Sequence, residues 1–149
     1  MNPFTLLKED HEKVAGILEK IDATTERGVK TREELFTQLK TELEIHAEIE
    51  ETIFYPALEK HDESRDIALE AVEEHRIVKQ FLAELDSMAK DDEIWTAKMT
   101  VLKENIEHHV EEEEGEMFSK ARKVLTEEEI ESLGTRMEAA KQKQKAATR

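Results

Sequence analysis

His46 is followed four residues later by Glu50 in HAEIEETIFYP, residues 46–56, and His109 by Glu113 in HHVEEEEGEMF, residues 108–118. In a helix, residues i and i+4 share a face, so each pair can aim an imidazole and a carboxylate in one direction. Imidazole with carboxylate and no sulfur suits iron, manganese or zinc. The chain has no cysteine, which excludes disulfides, thiolate metal sites and thiol catalysis. One HxxxE is weak evidence in a chain with 37 acidic residues. The informative feature is the ordered pattern H…HxxxE…H…HxxxE, formed by His11, His46, Glu50, His75, His109 and Glu113.

The elements that must position these residues read as helices throughout. A first helix over about Pro3–Thr24 carries Leu7, His11, Val14, Leu18 and Ile21 on one stripe. After a break at Gly28, a second starts near Thr31, an N-cap with Glu34 three residues on. Its stripe runs Leu35, Leu39, Leu43, His46, Glu50, Ile53, Ala57, and Pro56 bends or ends it within a turn. The third, about Ser64–Lys90, carries Ala68, Ala71, His75, Val78, Leu82 and Leu85. The fourth runs Trp95, Met99, Leu102, Ile106, His109, Glu113, Met117. A last helix, capped by Thr126, carries Ile130, Leu133 and Met137 and frays into KQKQKAATR. Long helices with short loops predict one all-α domain over residues 1–149. It is an up-down-up-down four-helix bundle over about 3–123, with a short additional C-terminal helix and tail over 126–149 as an appendage.

Four of the six histidines lie inside the apolar stripes, one per long helix. Counted from the helix ends at ~1.5 Å per residue, antiparallel packing brings all four to one height within roughly 5 Å. A buried imidazole needs a polar partner, and a carboxylate on an apolar stripe is costly unless paired or metal-bound. Glu114 rivals Glu113 within the run of four glutamates. An internal repeat sharpens that choice. EDHEKVAGILEKID aligns with EEHRIVKQFLAELD at an offset of 64, which would match Glu50 with Glu114, whereas His46 and His109 are 63 apart. A regular helix favours Glu113, and a π-bulge before Gly115 would favour Glu114. His61 falls in a turn and is solvated. His108 faces outward or backs the site, and Lys79 either approaches the site or snorkels to water. Tyr55 lies on the far side of its helix from His46 and is structural.

The net charge of −15 disfavours nucleic acid and acidic membrane surfaces as partners. No apolar run approaches the ~20 residues of a membrane span. The N-terminus lacks the basic start and apolar core of a secretion signal, so the expected location is cytoplasmic.

The pattern carried by His11, HAEIEETIFYP, EEHRIVKQF and HHVEEEEGEMF resembles the hemerythrin-like family, the HHE cation-binding domain, over roughly residues 3–123. The resemblance implies a four-helix bundle holding two Fe ions with an oxo or hydroxo bridge; Zn and Mn rank below iron. His11, His46, Glu50, His75, His109 and Glu113 would be the ligands, with Glu50 and Glu113 bridging. Oxygen-carrying hemerythrins have a second histidine one turn from the third-helix histidine. Here Ala71 and Lys79 flank His75 at that spacing, which shifts the implied chemistry toward peroxide or nitric oxide. The leading expectation is therefore a di-iron protein that binds or processes O2, peroxide or nitric oxide, with its redox partner unknown. An iron-buffering or iron-transfer protein is one alternative. A metal-free helical interaction protein is the other.

Overall fold

The structure is a computed structural model that describes residues 2–148; Met1 and Arg149, the ends of the expected domain, lie outside the described residues. All its regular elements are helical, in the order α1 (Pro3–Asp22), α2 (Val29–Ile49), α3 (Tyr55–Glu59), α4 (Asp62–Ser87), α5 (Glu93–Glu112), α6 (Phe118–Val124) and α7 (Glu127–Ala147). Two single π-turns, Glu50–Phe54 and Glu113–Met117, join α2 to α3 and α5 to α6 without breaking the rod. No helix among the described residues is long and apolar enough to cross a membrane.

Local chemistry accounts for several boundaries. The Asn2 side chain accepts from the Phe4 amide at 2.8 Å, and Pro3 opens α1. Asp92 caps α5 through the Ile94 amide. Thr126 and Glu129 form the reciprocal capping box at the start of α7. α3 ends at Glu59, within a turn of Pro56.

Several boundaries differ from the sequence-based expectation; α1 ends at Asp22 and α4 starts at Asp62, each two residues from the expected position, and three others are more telling. α2 starts at Val29 behind Gly28, with no side-chain cap, so Thr31 lies inside its first turn. The buried Arg32 explains this: its guanidinium bonds Thr24, Thr96 and the Lys90 carbonyl, which draws the start of α2 into the loops. α4 stops at Ser87 rather than Lys90, because the Lys90 ammonium turns back onto the carbonyls of Leu85, Asp86 and Met88. The C-terminal tail is helical to Ala147 rather than frayed. Nor is α7 an appendage: it packs on α1 and α2, and buries Leu133 and Met137.

The interior divides into two apolar layers. One contains Phe4, Leu7, Phe54, Leu58, Ala71 and Phe118, and α7 adds Leu133 and Met137. The other contains Val14, Leu18, Leu39, Leu82, Trp95 and Leu102. Each long helix crosses from one layer to the other, and its histidine sits at the crossing. α1 passes Leu7, His11, Val14; α4 passes Ala71, His75, Leu82. α2 and α5 cross in the opposite sense, through Leu39, His46, Ile49 and Ile106, His109, Met117. Phe4 anchors the first layer, 4.9 Å from Phe118 and 6.2 Å from Phe54 between ring centroids.

Phe118→Ala, at a fully buried position in that layer, should cost about 3–5 kcal/mol. Val101→Ala, at a site 45% exposed, should stay within about 0.5 kcal/mol. Urea melts of the two variants against the parent check both values.

Candidate metal centre

Between the apolar layers lie His11, His46, His75, His109, Glu50 and Glu113, all between 0 and 8% exposed. The histidines form two pairs. His11 and His46 have ring centroids 5.0 Å apart, and His75 and His109 4.8 Å apart. The carboxylates stand between the pairs. Glu50 Oε1 is 2.9 Å from His46 Nε2 and 3.1 Å from His75 Nε2. Glu113 Oε1 is 3.0 Å from His11 Nε2, while its Oε2 is 3.4 Å from His109 Nε2. The donor atoms of His11, His46, Glu50 and Glu113 lie within 4.8 Å of one another, and so do those of Glu50, His75 and His109.

His11 Nε2, His46 Nε2, both Glu50 oxygens and Glu113 Oε1 are buried and make no hydrogen bond. Orphaned buried polar atoms are costly and rare in folded proteins. Here five of them converge on one region, and all are imidazole nitrogens or carboxylate oxygens. That donor set fits a divalent or trivalent transition-metal ion.

The outward nitrogen of every histidine meets a carboxylate. His11 Nδ1 is 2.6 Å from Glu114, His46 Nδ1 3.0 Å from Asp10, His75 Nδ1 3.0 Å from Glu51 and His109 Nδ1 2.8 Å from Glu74. Each of these acids directly precedes or follows an inner residue in sequence, yet serves a histidine on another helix. An Nδ1–H donated to a carboxylate leaves the Nε2 lone pair facing inward, as metal ligation requires. Sequence reasoning missed this outer ring. Its signal was the acid before the histidine in both halves of the repeat, Asp10–His11 and Glu74–His75.

Glu113 is therefore the inward residue. Glu114, its rival, is one-third exposed and backs His11. The π-turn includes Gly115 but begins at Glu113 itself, so the i+4 relation to His109 is intact and rotation comes only afterwards. The same device overturns the expectation for Tyr55. Nine residues of regular helix would place it about half a turn from His46, but the π-turn after Glu50 absorbs about one residue and cuts the angle to about 80°. Its phenol is buried and donates to Glu113 Oε2 at 2.6 Å, and it lies 3.3 Å from both His75 Nε2 and His109 Nε2. His108 faces solvent and pairs with Glu112. Lys79 reaches the outer ring through Glu51 at 2.9 Å.

The charges respond to this crowding. Burial opposes a charged His109, but Glu113 and Glu74 outweigh it and raise its pKa to about 10. Burial likewise opposes charge on His46 and His11. Glu50 and Asp10 still raise His46 well above the ordinary value, and Glu113 raises His11. Burial alone would push Glu113 up; contacts from Glu50, His109 and His11 hold it well below the usual carboxylate range. Burial first, then Glu113, drives the Tyr55 phenol well above 10.

A cavity of about 40 Å³ opens beside all four histidines. Most of its other lining is apolar, from Val14, Leu43, Ala47, Val78, Leu82 and Ile106, with Glu44 and Lys79 also contributing. With liquid water occupying ~30 Å³ per molecule, this is space for a molecule of a few atoms.

The pattern of the hemerythrin HHE cation binding domain family matches residues 2–121. An uncharacterised hemerythrin-like protein of Schizosaccharomyces pombe is 28% identical over 89% of this chain and 66% of its own length. A DNA nickase of Nostoc sp. is 26% identical over 96% of this chain, which spans only 40% of that protein. The crystal structure of a hemerythrin HHE cation binding domain-containing protein from Mycobacterium kansasii superposes with a TM-score of 0.86. It is 30% identical, and the match covers 99% of this chain and 89% of that one.

These pKa shifts set the pH dependence of the metal-free protein. Glu113, depressed when folded, contributes stability that is present above the ordinary carboxyl value of 4.5 and lost as pH falls. His109, raised when folded, contributes stability that is complete below 6.5 and lost as pH rises toward about 10. Metal-free protein should thus be most stable between about 4.5 and 6.5 and weaken steadily on the alkaline side; denaturation midpoints across pH 4–10 check the profile. Adding zinc at pH 7 should release at least the His109 proton, measurable with an indicator dye in weak buffer.

Proposed function

Because the chain belongs to the hemerythrin HHE cation binding domain family, we propose that it holds two iron ions and offers them to dioxygen, peroxide or nitric oxide. In this reading the four long helices form an up-down-up-down bundle, and the protein acts in the cytoplasm. The observation that carries the metal is the set of five buried donor atoms without hydrogen bonds. Two ions suit the pairing of the histidines and the carboxylates that stand between the pairs. Four imidazoles and two carboxylates would not saturate two six-coordinate ions, which favours iron over structural zinc.

Bound iron would supply the redox chemistry, and the protein supplies binding, orientation and electrostatics. Glu50 reaches the His46 and His75 nitrogens through one oxygen, and Glu113 spans toward His11 and His109 through its two. Tyr55 donates to Glu113 and holds that carboxylate in place. The outer carboxylates keep each Nε2 free for the metal. The apolar cavity limits access to small molecules and lowers the local dielectric.

Iron buffering or transfer would use the same donors, but their near-complete burial favours a resident ion over exchangeable cargo. A metal-free interaction role leaves the orphaned donors unexplained. The name of the Nostoc relative points to nucleic acid for that protein; a net charge of −15 argues against such a partner here, and against acidic membranes.

Protein purified from iron-replete cells should contain about two irons per chain, by the pairing of its donors. One tightly held zinc and no iron would refute the proposal. Glu113→Gln should lose one iron, together with any peroxide or nitric oxide turnover, whereas Glu114→Gln, which removes only the carboxylate behind His11, should still load both ions, one of them more weakly. Elemental analysis with peroxide and nitric oxide consumption assays reads each outcome.

A further inference from the structure

Lys141 lies on α7, beyond the residues matched by the family pattern. None of the six inner donors comes from this helix. Yet the Lys141 ammonium donates to Asp10 Oδ1 at 2.5 Å. The other oxygen of that carboxylate, Oδ2, is 3.0 Å from His46 Nδ1. The side chains of Asp10 and Lys141 are only 6% and 15% exposed, so solvent screens this contact far less than a surface pair.

The geometry is a clamp. A carboxylate held at one oxygen by a cation has little freedom to rotate, so its second oxygen stays on the imidazole. The ring of His46 is then held with Nε2 directed at Glu50, 2.9 Å away. Lys141 reaches Asp10 because α7 is in register. The capping box at Thr126 starts the helix, Leu133 and Met137 bury in the first apolar layer, and Lys141 comes one turn after Met137 on the same face. Glu51, behind His75, has a comparable lysine in Lys79, but that side chain is half-exposed and rises from α4, the helix of His75 itself.

We infer that Lys141 is a positioning residue for the metal centre: through Asp10 it holds His46, so docking of the C-terminal helix and retention of metal on the His11–His46 side are linked. The inference rests on the metal-binding role proposed above. Loss of an outer-shell partner weakens metal affinity by ~10–100-fold, and a lysine one contact further out belongs at the lower end.

The test is anaerobic titration of the full chain with cobalt(II) against a competing chelator. The visible cobalt spectrum reports the ligands, and the melting temperature of each metal-free variant is recorded in parallel. The parent should bind two cobalt ions. Lys141→Met should weaken one of them about tenfold and leave the other unchanged, with an altered spectrum for the weakened ion. Lys141→Arg should restore the affinity. Lys143→Met removes the same charge from an exposed position on α7 and should change nothing. Asp10→Asn, on α1, reads the same link without touching α7 and should weaken the same ion. The double variant Asp10→Asn/Lys141→Met should be no weaker than Asp10→Asn alone. Equal affinities in Lys141→Met and the parent would overturn the inference. So would parallel loss of both ions with a fall in metal-free melting temperature, which marks a merely structural lysine. A parent that binds no cobalt(II) would overturn the metal site itself, and this inference with it.

Discussion

Six ionisable side chains are packed into one buried layer, with hydrocarbon above and below. Burying one such group without a partner costs several kcal/mol; burying six together demands that nearly every polar atom be answered. The layer meets that demand from two sides. Outward, each imidazole has its own carboxylate on another helix. Inward, the Tyr55 phenol answers Glu113 Oε2, while five converging nitrogens and oxygens make no hydrogen bond and are the donors a bound cation would take.

This constraint also shapes the backbone. Both inner carboxylates stand at the first residue of a π-turn. A regular helix carries the HxxxE pair up to that residue, and the wider turn then re-aims the side chains beyond it. After Glu50 it brings Tyr55 onto the layer. After Glu113 it leads into Phe118, at the aromatic anchor with Phe4 and Phe54. The π-turns thus join the polar layer to the first apolar layer without interrupting either. α7 closes this end of the molecule, and its Lys141 carries the network to a helix that contributes no inner donor.

The asymmetry between the two histidine pairs arises from unlike surroundings of similar motifs. The His75–His109 pair has a phenol within 3.3 Å of both Nε2 atoms. The His11–His46 pair has the buried Lys141–Asp10 contact behind it. An internal repeat has therefore become a site whose two halves are chemically distinct.

Much of this was legible in the sequence by itself. Helical periodicity, one histidine per stripe and HxxxE spacing are local facts. They sufficed to place the helices, five of the inner residues and the common height of the imidazoles, because a helix fixes the direction of a side chain from its position; the sixth stayed open between Glu113 and Glu114 until the π-turn was located. The Thr126 capping box was legible for the same reason. The features that escaped depend on where one helix meets another. Asp10, Glu51 and Glu74 look like ordinary surface acids until a neighbouring histidine is placed against them. The early start of α2 depends on Arg32 reaching three loop partners. Tyr55 was put on the wrong side because a single π-turn, invisible to a fixed 100° per residue, rotates every residue after it. α7 is tied to the polar layer by a bond across 131 residues of chain, Lys141 to Asp10, which no periodicity within that helix could express.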